Sequence, residues 1–238
     1  MNDQIGTFYG IGVGPGDPEL LTLKAVRIIN KVDVIFAASS IKNNYSLAVD
    51  IAKLHISESA DIRMLPFQMS NNENEKEVLW RENAERIMAE LEKGRDAAFL
   101  TLGDLLTYST YGYLVRAIKK KNPLIHIESV PGIPSYLAAA SRLNLPLVEG
   151  DESLLITSGA RGGKELRKYS KCVENVVLLK TYKHIEDINK ALSEAGLIEN
   201  SRGISRCGRE DEEIFEDVRA LEKRKPDYWS LIIAKRKI

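Results

Sequence analysis

The segment Thr7-Phe-Tyr-Gly-Ile-Gly-Val-Gly-Pro-Gly-Asp17 passes from a short apolar run, through glycines, into a helical pattern. Residues 7–13 are apolar enough to form a buried first strand. Asp17 is a favourable N-cap, and Pro18 suits the first position of a helix. A helix is predicted from there to about Asn30, with apolar side chains at helical spacing at Leu20, Leu23, Val26 and Ile29. A strand, a glycine turn and a helix in this order are typical of an α/β fold.

The same alternation continues along the chain. Strands are predicted at 32–37, 60–65, 96–102 and 124–130, and then at 153–158, 175–180, 201–206 and 228–235. Helices are predicted at 46–55, 111–121, 134–143, 163–169, 184–195 and 218–223, and a long one runs from the capping box Ser70-Asn-Asn-Glu73 to Lys93-Gly94. The turn-rich stretch 144–151 separates two parts, which we predict to be α/β domains at residues 1–145 and 146–238.

Composition narrows the class of protein. The chain has 238 residues, with 34 Lys and Arg against 34 Asp and Glu, so its formal net charge is zero. Neutrality disfavours a nucleic-acid binder, which needs excess basic charge, and it disfavours an electrostatic membrane anchor. No apolar run is long enough to span a bilayer and no signal peptide is evident, so we expect a cytoplasmic protein. Cys172 and Cys207 lack metal-binding spacing, and with only three scattered histidines we expect no metal site.

Three of the predicted strands end in glycine-bearing turns. The first turn fails the dinucleotide pattern GxGxxG, because Pro15 or Asp17 stands where the last glycine belongs, and it lacks the phosphate loop GxxxxGK[ST]. Leu102-Gly-Asp104 and Val130-Pro-Gly-Ile-Pro-Ser135 repeat the arrangement later in the chain. Taken alone, each could be a simple tight turn, and Asp104 could cap a helix. Together they predict a small-molecule pocket at the carboxyl ends of the strands.

The sequence offers no evident side-chain nucleophile. It has no GxSxG motif, and its three histidines lack an obvious serine or cysteine partner. This pattern favours a reaction in which a cofactor supplies the reactivity and the protein supplies the position.

The zero net charge also conceals two local imbalances. Residues 161–183 contain seven basic and two acidic side chains, whereas residues 210–217 contain six acidic side chains and no basic one. Both stretches are predicted to be solvated surface.

The chain resembles the tetrapyrrole (corrin/porphyrin) methylase family in three motifs, over essentially its whole length. These motifs are Gly12-Val-Gly-Pro-Gly-Asp-Pro-Glu-Leu-Leu-Thr-Leu-Lys-Ala25, Leu102-Gly-Asp104 and Val130-Pro-Gly-Ile133. The resemblance implies two α/β domains with S-adenosylmethionine in the cleft between them, S-adenosylhomocysteine as a product, and a homodimer.

Further stretches resemble the members of that family that methylate C-20 of precorrin-2 or cobalt-precorrin-2 (cobalt-factor II) in cobalamin biosynthesis. They are Pro66-Phe-Gln-Met-Ser70, Glu75-Lys-Glu-Val-Leu-Trp80 and Tyr108-Ser-Thr110. Leu105 departs from the pattern, because many members have proline after Gly-Asp. The loop that follows Asp104 is therefore expected to have its own shape.

The resemblance also implies which residues contact the cofactor. In the first half, it assigns Pro15, Leu102, Gly103, Asp104 and Thr107, with Ser109 and Thr110 beside them, and then Pro134 and Ser135. In the second half, it assigns Leu179, Lys180, Arg206, Cys207 and Gly208. Leu179 and Lys180 occupy the place where the family binds adenine through its backbone, and no catalytic role is implied for Cys207.

The implied reaction transfers a methyl group to a ring carbon of a substrate that carries many carboxylates. Tyr108 and Tyr111 are candidates for accepting the proton that leaves that carbon, although a packing or surface role suits either tyrosine equally well. Arg161, Lys164 and Arg167 are candidates for binding the substrate carboxylates.

Three alternative functions stay open at this point. The first is a sibling methylase that acts on another ring carbon, or on a non-tetrapyrrole target such as ribosomal RNA or a modified histidine. The second is a nicotinamide-dependent oxidoreductase, which the failed GxGxxG pattern disfavours. The third is a non-catalytic nucleotide-binding module.

Overall fold

The computed structural model of the protein describes residues 5–39, 45–67 and 73–236. These residues form two compact units that divide in sequence between Pro134 and Ser135. Each unit contains one five-stranded sheet with helices, so the predicted architecture of two α/β domains is confirmed. The sequence places the domain boundary after residue 145, whereas residues 135–142 form a helix that contacts the last strand of the second sheet.

The N-terminal unit is built on a parallel sheet. Its strands are β1 (Phe8–Gly12), β2 (Val34–Ser39), β3 (Asp61–Pro66), β4 (Ala97–Thr101) and β5 (Ile127–Val130). They lie in the order β3-β2-β4-β1-β5, and every recorded pair is parallel. The carboxyl ends of β4, β1 and β5 therefore lie side by side at one edge of the sheet.

Helices cover both faces of this sheet. They are α1 (Leu23–Ile29), α2 (Leu47–Ala52), α3 (Glu73–Leu91) and α4 (Tyr111–Lys121). Strand β4 alternates between two hydrophobic clusters: Phe99 packs with side chains of α3 and α4, and Leu100 packs with side chains of α1 and α2. Because successive side chains face opposite clusters, residues 97–100 of β4 are all apolar.

The first helix begins later than the sequence predicts. Asp17 and Pro18 start only a short 3₁₀ turn, Pro18–Leu20, in which the Asp17 carboxylate accepts a hydrogen bond from the Glu19 amide. Thr22 is the N-cap of α1 and accepts a hydrogen bond from the Ala25 amide at 3.2 Å. Leu23, which was predicted to face the core, is largely exposed.

The other helices of this unit follow the prediction closely. Helix α4 has the predicted bounds, and Gly94, with φ of +78°, follows the end of α3 as predicted. The capping residue proposed for α3, Ser70, lies outside the described residues, as does the rest of the stretch 68–72.

The C-terminal unit is built on a mixed sheet. Its strands are β6 (Leu154–Ser158), β7 (Asn175–Leu179), β8 (Ser201–Ser205), β9 (Glu213–Phe215) and β10 (Ser230–Lys235). They lie in the order β6-β7-β10-β8-β9, with β6 parallel to β7 and the remaining pairs antiparallel. Its α-helices are α5 (Ser135–Arg142), α6 (Lys164–Tyr169) and α7 (Ile185–Glu194).

All four strands predicted for this unit are confirmed, and one further strand was missed. Strand β9 lies inside the acidic run 210–217, whose high charge does not resemble a strand. Residues 218–223 form a 3₁₀ turn and not the predicted α-helix. No helix in the described parts of the chain is both long and apolar enough to cross a membrane.

Candidate active site

Two of the three predicted glycine turns are joined directly through their backbones. The Gly14 amide donates to the Gly103 carbonyl at 3.2 Å, and the Gly103 amide donates to the Gly14 carbonyl at 2.7 Å. Both glycines have positive φ, +80° at Gly14 and +69° at Gly103, a conformation that glycine adopts without steric cost. The turn after β1 is therefore fixed to the turn after β4.

The third turn packs against the other two with no room for a side chain. A methyl group added to Gly12 would lie 2.6 Å from the Gly132 nitrogen, and one added to Gly132 would lie 2.3 Å from the Gly103 oxygen. These neighbours are backbone atoms, so they cannot rotate away. We call residues 12–14, 103 and 132 the glycine junction. It brings the three predicted turns together at the carboxyl edge of the parallel sheet.

Asp104 organises the loop that leaves this junction. One carboxylate oxygen accepts hydrogen bonds from the amides of Leu106 and Thr107, at 2.9 and 3.1 Å. The other oxygen lies 3.4 Å from the Gly132 amide, which donates to it. The side chain thus shapes its own loop and ties it to the turn after β5. Leu105, the departure from the family pattern, is buried in the core with side chains of α4.

The two predicted catalytic tyrosines lie in opposite environments. Tyr108 is 52% exposed and has φ of +53°, which is uncommon for a residue other than glycine. Tyr111 is 1% exposed, and its hydroxyl lies 2.8 Å from the Ser129 hydroxyl. Burial raises the pKa of Tyr111, and the hydrogen bond to Ser129 acts in the opposite direction. Tyr111 therefore packs as a core residue, whereas Tyr108 meets solvent.

The remaining predicted residues of the first half lie close in sequence to the glycine junction or to the loop after Asp104. Ser109 accepts a hydrogen bond from the Tyr111 amide, and its hydroxyl lies 3.1 Å from that of Thr101 at the end of β4. Thr110 immediately precedes α4. Pro15 is buried beside the glycine junction in sequence. Pro134 and Ser135 stand at the division between the units, and Ser135 is the first residue of α5.

In the C-terminal unit, the predicted cofactor residues lie on two sides of one strand. Strands β7 and β8 both run antiparallel to β10, so their carboxyl ends meet at its amino end. The Thr181 amide donates to the Ser230 carbonyl at 3.1 Å, and the Arg206 amide donates to the Trp229 carbonyl at 3.2 Å. Lys180 and Arg206 each have positive φ, so both strands turn sharply at this edge. Leu179 and Lys180 are thereby brought to the same edge as residues 206–208.

The polar groups of residues 206–208 make contacts close to the turn itself. The Arg206 guanidinium lies 2.8 Å from the Asp211 carboxylate and 2.6 Å from that of Asp227. Cys207 is buried, and burial, together with the nearby Glu212 carboxylate, raises the pKa of its thiol to about 12. The Gly208 amide donates to Glu212 at 2.7 Å. Cys207 is consequently a protonated thiol at neutral pH.

The structure separates the three predicted substrate-binding cations. Arg161 ends the turn Gly159–Arg161, which follows β6 at the carboxyl edge, and its side chain is exposed, as is that of Lys164. The Arg167 guanidinium instead lies 2.8 Å from Asp187 and 2.7 Å from Glu194, two carboxylates of α7. Arg167 therefore links α6 to α7, and its predicted role as a substrate ligand stays a prediction.

Sequence reasoning did not single out the aromatic residues at the same edge. Tyr182 follows the end of β7, and Tyr228 and Trp229 precede β10. We call these three residues the aromatic cluster. The sequence signal was an aromatic pair at the start of the last predicted strand, 228–235. Only the insertion of β10 antiparallel between β7 and β8 places that pair beside the predicted cofactor residues.

Comparisons with known proteins identify close relatives over most of the chain. The chain is 32% identical to the cobalt-precorrin-2 C(20)-methyltransferase of Salmonella typhimurium, over 96% of this chain and 95% of that protein. It is 36% identical to a probable cobalt-precorrin-2 C(20)-methyltransferase of Methanocaldococcus jannaschii, over 81% of this chain and 78% of that protein.

A solved structure shares the fold. The uroporphyrin-III C-methyl transferase of Thermus thermophilus, complexed with S-adenyl homocysteine, matches with a TM-score of 0.71 and 22% identity, over 97% of this chain and 92% of that one. The sequence profile described as Tetrapyrrole (Corrin/Porphyrin) Methylases matches residues 7–221. With that span and these full-length relatives, the chain belongs to the tetrapyrrole methylase family.

Proposed function

We propose that the protein transfers a methyl group from S-adenosylmethionine to C-20 of cobalt-precorrin-2, a step of cobalamin biosynthesis. The observation that carries the proposal is the 32% identity to the Salmonella typhimurium cobalt-precorrin-2 C(20)-methyltransferase, which spans nearly all of both chains. The relative from Methanocaldococcus jannaschii is named for the same activity, qualified as probable. Both names include cobalt, so we favour the cobalt-containing substrate over precorrin-2.

The residues present fit an S-adenosylmethionine site. The glycine junction fixes three strand-end turns together at the carboxyl edge of the sheet, which is where open α/β sheets bind their ligands. S-adenosylmethionine supplies a methyl group that is already activated on a positively charged sulfur. In our proposal, its contacts in the N-terminal unit are Pro15, Leu102, Gly103, Asp104, Thr107, Ser109, Thr110 and Pro134. Its contacts in the C-terminal unit are Ser135, Leu179, Lys180, Arg206, Cys207 and Gly208.

The hydrogen bonds indicate which of these residues contact the cofactor and which hold the others in position. The Asp104 carboxylate is occupied by the amides of its own loop, so we assign it the task of holding Leu102 and Gly103 in place. The side chains of Arg206 and Cys207 are likewise engaged or buried, so the backbone of residues 206–208 is left to contact the cofactor. The chain thus contributes mainly position, and orientation alone can supply about 7–11 kcal/mol to a reaction of this kind.

Tyr108 is our candidate for the group that relays the proton from C-20, with its hydroxyl oxygen accepting that proton while its own O–H proton passes to solvent water. It is exposed on the loop that follows the glycine junction, whereas the Tyr111 hydroxyl is buried and bonded to Ser129. A general base must reach the proton that it removes, and a buried, hydrogen-bonded hydroxyl does not. Arg161 and Lys164 are our candidates for binding substrate carboxylates, because both are exposed and neither takes part in the ion pairs of α6 and α7.

The proposed function is tested by anaerobic incubation with S-adenosylmethionine labelled with carbon-13 in its methyl group. Cobalt-precorrin-2 and precorrin-2 are offered in parallel, and the product is examined by mass spectrometry and NMR. We expect one labelled methyl group at C-20, formed faster on the cobalt-containing substrate. Label at another ring carbon would identify a sibling methylase. An absence of label on either tetrapyrrole would contradict methyl transfer to this class of substrate.

We further propose a homodimer that works in the cytoplasm, on the ground of the family resemblance. Light scattering after size-exclusion chromatography should give about twice the monomer mass of 26.7 kDa. A mass equal to that of the monomer would contradict the dimer.

A further inference from the structure

The aromatic cluster forms a continuous set of ring contacts. The Tyr182 and Tyr228 rings lie 5.3 Å apart at an angle of 66°. The Tyr228 and Trp229 rings lie 5.1 Å apart at 87°. Both distances fall in the range of favourable edge-to-face pairs. Trp229 is nevertheless 40% exposed and the two tyrosines are only partly buried, so the cluster presents aromatic surface to solvent.

Backbone hydrogen bonds hold the segments that carry these rings. Leu231 pairs with Leu179 at the end of the antiparallel ladder of β10 and β7. Just beyond it, the Thr181 amide donates to the Ser230 carbonyl at 3.1 Å, one residue out of the ladder register, beside Lys180 with its positive φ. Tyr182 and Tyr228 therefore lie on the two segments that this hydrogen bond joins.

Two lysines lie over the rings of the same cluster. The Lys183 ammonium lies 5.4 Å from the centre of the Tyr182 ring, and the Lys180 ammonium lies 5.8 Å from that of Tyr228. The nearest carboxylate in sequence, Asp227, is paired with Arg206 at 2.6 Å. The surface of the cluster therefore combines flat apolar area with positive charge.

We propose that the aromatic cluster, with Lys180 and Lys183, is the surface that binds the tetrapyrrole substrate. The proposal rests on the proposed function, because it takes a planar polycarboxylate macrocycle as the ligand. Aromatic rings offer such a macrocycle rigid contact area, and ammonium groups pair with its peripheral carboxylates. S-adenosylmethionine carries one carboxylate, whereas the macrocycle carries several, so charge complementarity with two ammonium groups favours the tetrapyrrole as occupant.

The test uses uroporphyrin III as a stable polycarboxylate probe that does not react. Tyr182→Leu removes one ring of the cluster, and Lys183→Gln removes one charge. Matched controls remove the same groups from the far end of α6, where the Lys168 ammonium lies 4.6 Å from the centre of the Tyr169 ring. These controls are Tyr169→Leu and Lys168→Gln. For every protein, calorimetric titration measures the Kd for uroporphyrin III and, separately, for S-adenosylhomocysteine.

We expect Tyr182→Leu to raise the Kd for uroporphyrin III about tenfold, through the loss of ring contact. Lys183→Gln should raise it about threefold, with an effect that shrinks in high salt. Both variants should bind S-adenosylhomocysteine as the wild type does, and both controls should bind both ligands as the wild type does. Lys183 is an exposed side chain, so this variant folds even if Tyr182→Leu does not.

Three results would overturn the proposal. The first is an unchanged Kd for uroporphyrin III in both cluster variants. The second is an equal loss of affinity for S-adenosylhomocysteine, which would assign the cluster to the cofactor. The third is a changed oligomeric state with unchanged affinity, which would assign it to contacts between copies of the chain. A wild-type protein that binds uroporphyrin III but does not methylate cobalt-precorrin-2 would refute the proposed function alone, while selective losses in the variants would still support the surface.

Discussion

At the scale of the residue, Tyr108 and Tyr111 lie only three positions apart in sequence, yet one side chain is exposed and the other is buried. Tyr108 lies on a loop shaped by Asp104 and is exposed. Tyr111 begins α4, and its ring lies so close to Gly10 that a methyl group there would come within 2.2 Å of it. The first side chain is half exposed to solvent, and the second fills the core.

The same substitution should therefore have different effects at the two positions. Tyr108→Phe should lower kcat for methyl transfer by about 100-fold if its hydroxyl accepts the proton, and should leave the melting temperature unchanged. Tyr111→Phe should lower the free energy of unfolding by about 1 kcal/mol, because it leaves the Ser129 hydroxyl without its partner, with little change in kcat. Steady-state kinetics and urea unfolding measure both quantities. A normal kcat in Tyr108→Phe would remove this residue from the reaction.

The position of the glycine junction could be predicted from the sequence, whereas the contacts of the charged side chains could not. Glycines at three strand ends are informative because parallel strands end at a common edge, so spacing along the chain translates into position. Arg167 is different, because its role depends on Asp187 and Glu194, which lie on another helix. The sequence around a basic residue does not indicate which carboxylate will pair with it. The partner follows only from the packing of α6 on α7.

At the scale of the element, α6 and the turn before it perform two tasks. Arg161 ends the turn at the carboxyl edge of the sheet and is exposed, whereas Arg167 lies a helix length further on and binds α7. One short segment thus carries a candidate substrate ligand and a structural ion pair.

Alanine at these two positions should separate the tasks. Arg161→Ala should raise the KM for the tetrapyrrole about tenfold while the affinity for S-adenosylmethionine and the melting temperature stay unchanged. Arg167→Ala should instead lower the free energy of unfolding by about 1 kcal/mol, since its ion pairs are partly exposed, and leave KM unchanged. Substrate titration and chemical unfolding of the two variants provide the comparison. Unchanged tetrapyrrole affinity in Arg161→Ala would exclude it from the site.

Elements were predicted well where burial gives a clear pattern and poorly where it does not. Strands β4 and β7 each contain four consecutive apolar residues, because both of their faces are covered, and both strands were predicted. Strand β9 is three residues long, lies at an edge and contains Glu213, so its sequence has no such pattern. The start of α1 was misplaced because Asp17-Pro18 is an equally good start for a single 3₁₀ turn.

At the scale of the whole molecule, the acidic run 210–217 is balanced by basic side chains close to it. Five of its six acidic side chains lie in ion pairs with arginines, which include Arg142, Arg202, Arg206, Arg219 and Arg224. The expectation of a plainly solvated acidic surface was therefore incomplete. The charges of this run help to hold the turns around β8 and β9 in place.

The most deeply buried carboxylate lies in the N-terminal unit. Glu90, in α3, is 2% exposed. Its oxygens lie 2.7 Å from the Lys93 ammonium, 3.0 Å from the Arg63 guanidinium and 2.6 Å from that of Arg95. The hydrogen bond from Lys93, with help from Arg63, lowers the pKa of Glu90 to about 2 from its ordinary 4.5, although burial opposes the shift. The ionised carboxylate joins α3 to β3 and to the segment that enters β4.

The stability of the protein should consequently depend on Glu90 in a defined range of pH. A carboxylate whose pKa is lowered by folding stabilises the native state fully above its unfolded pKa, and this contribution is lost as the pH falls from about 4.5 towards 2. Glu90→Gln should lower the free energy of unfolding by about 2 kcal/mol at pH 7, and the difference from the wild type should vanish near pH 2. Urea unfolding across this range measures the difference.

Glu85→Gln is the matched control for that experiment. Glu85 lies in the same helix and pairs with Lys121 at 3.0 Å, but both side chains are nearly half exposed. Its loss should cost no more than about 0.5 kcal/mol at any pH, because solvent screens an exposed pair. Equal effects of the two substitutions would show that the burial of Glu90 does not set its contribution.

The order β6-β7-β10-β8-β9 also governs when the second sheet can form during synthesis on the ribosome. Strands β7 and β8 have no direct pairing with each other, since each bonds to a different side of β10. Residues 175–205 emerge well before residues 230–235, so two strands must wait with open edges until a later one arrives between them. Open edges are sites of misassembly between nascent chains. Both edges are covered only when β10 pairs with β7 and β8. Tyr228 and Trp229 directly precede β10, so the proposed substrate surface and the completed sheet form in the same step of folding.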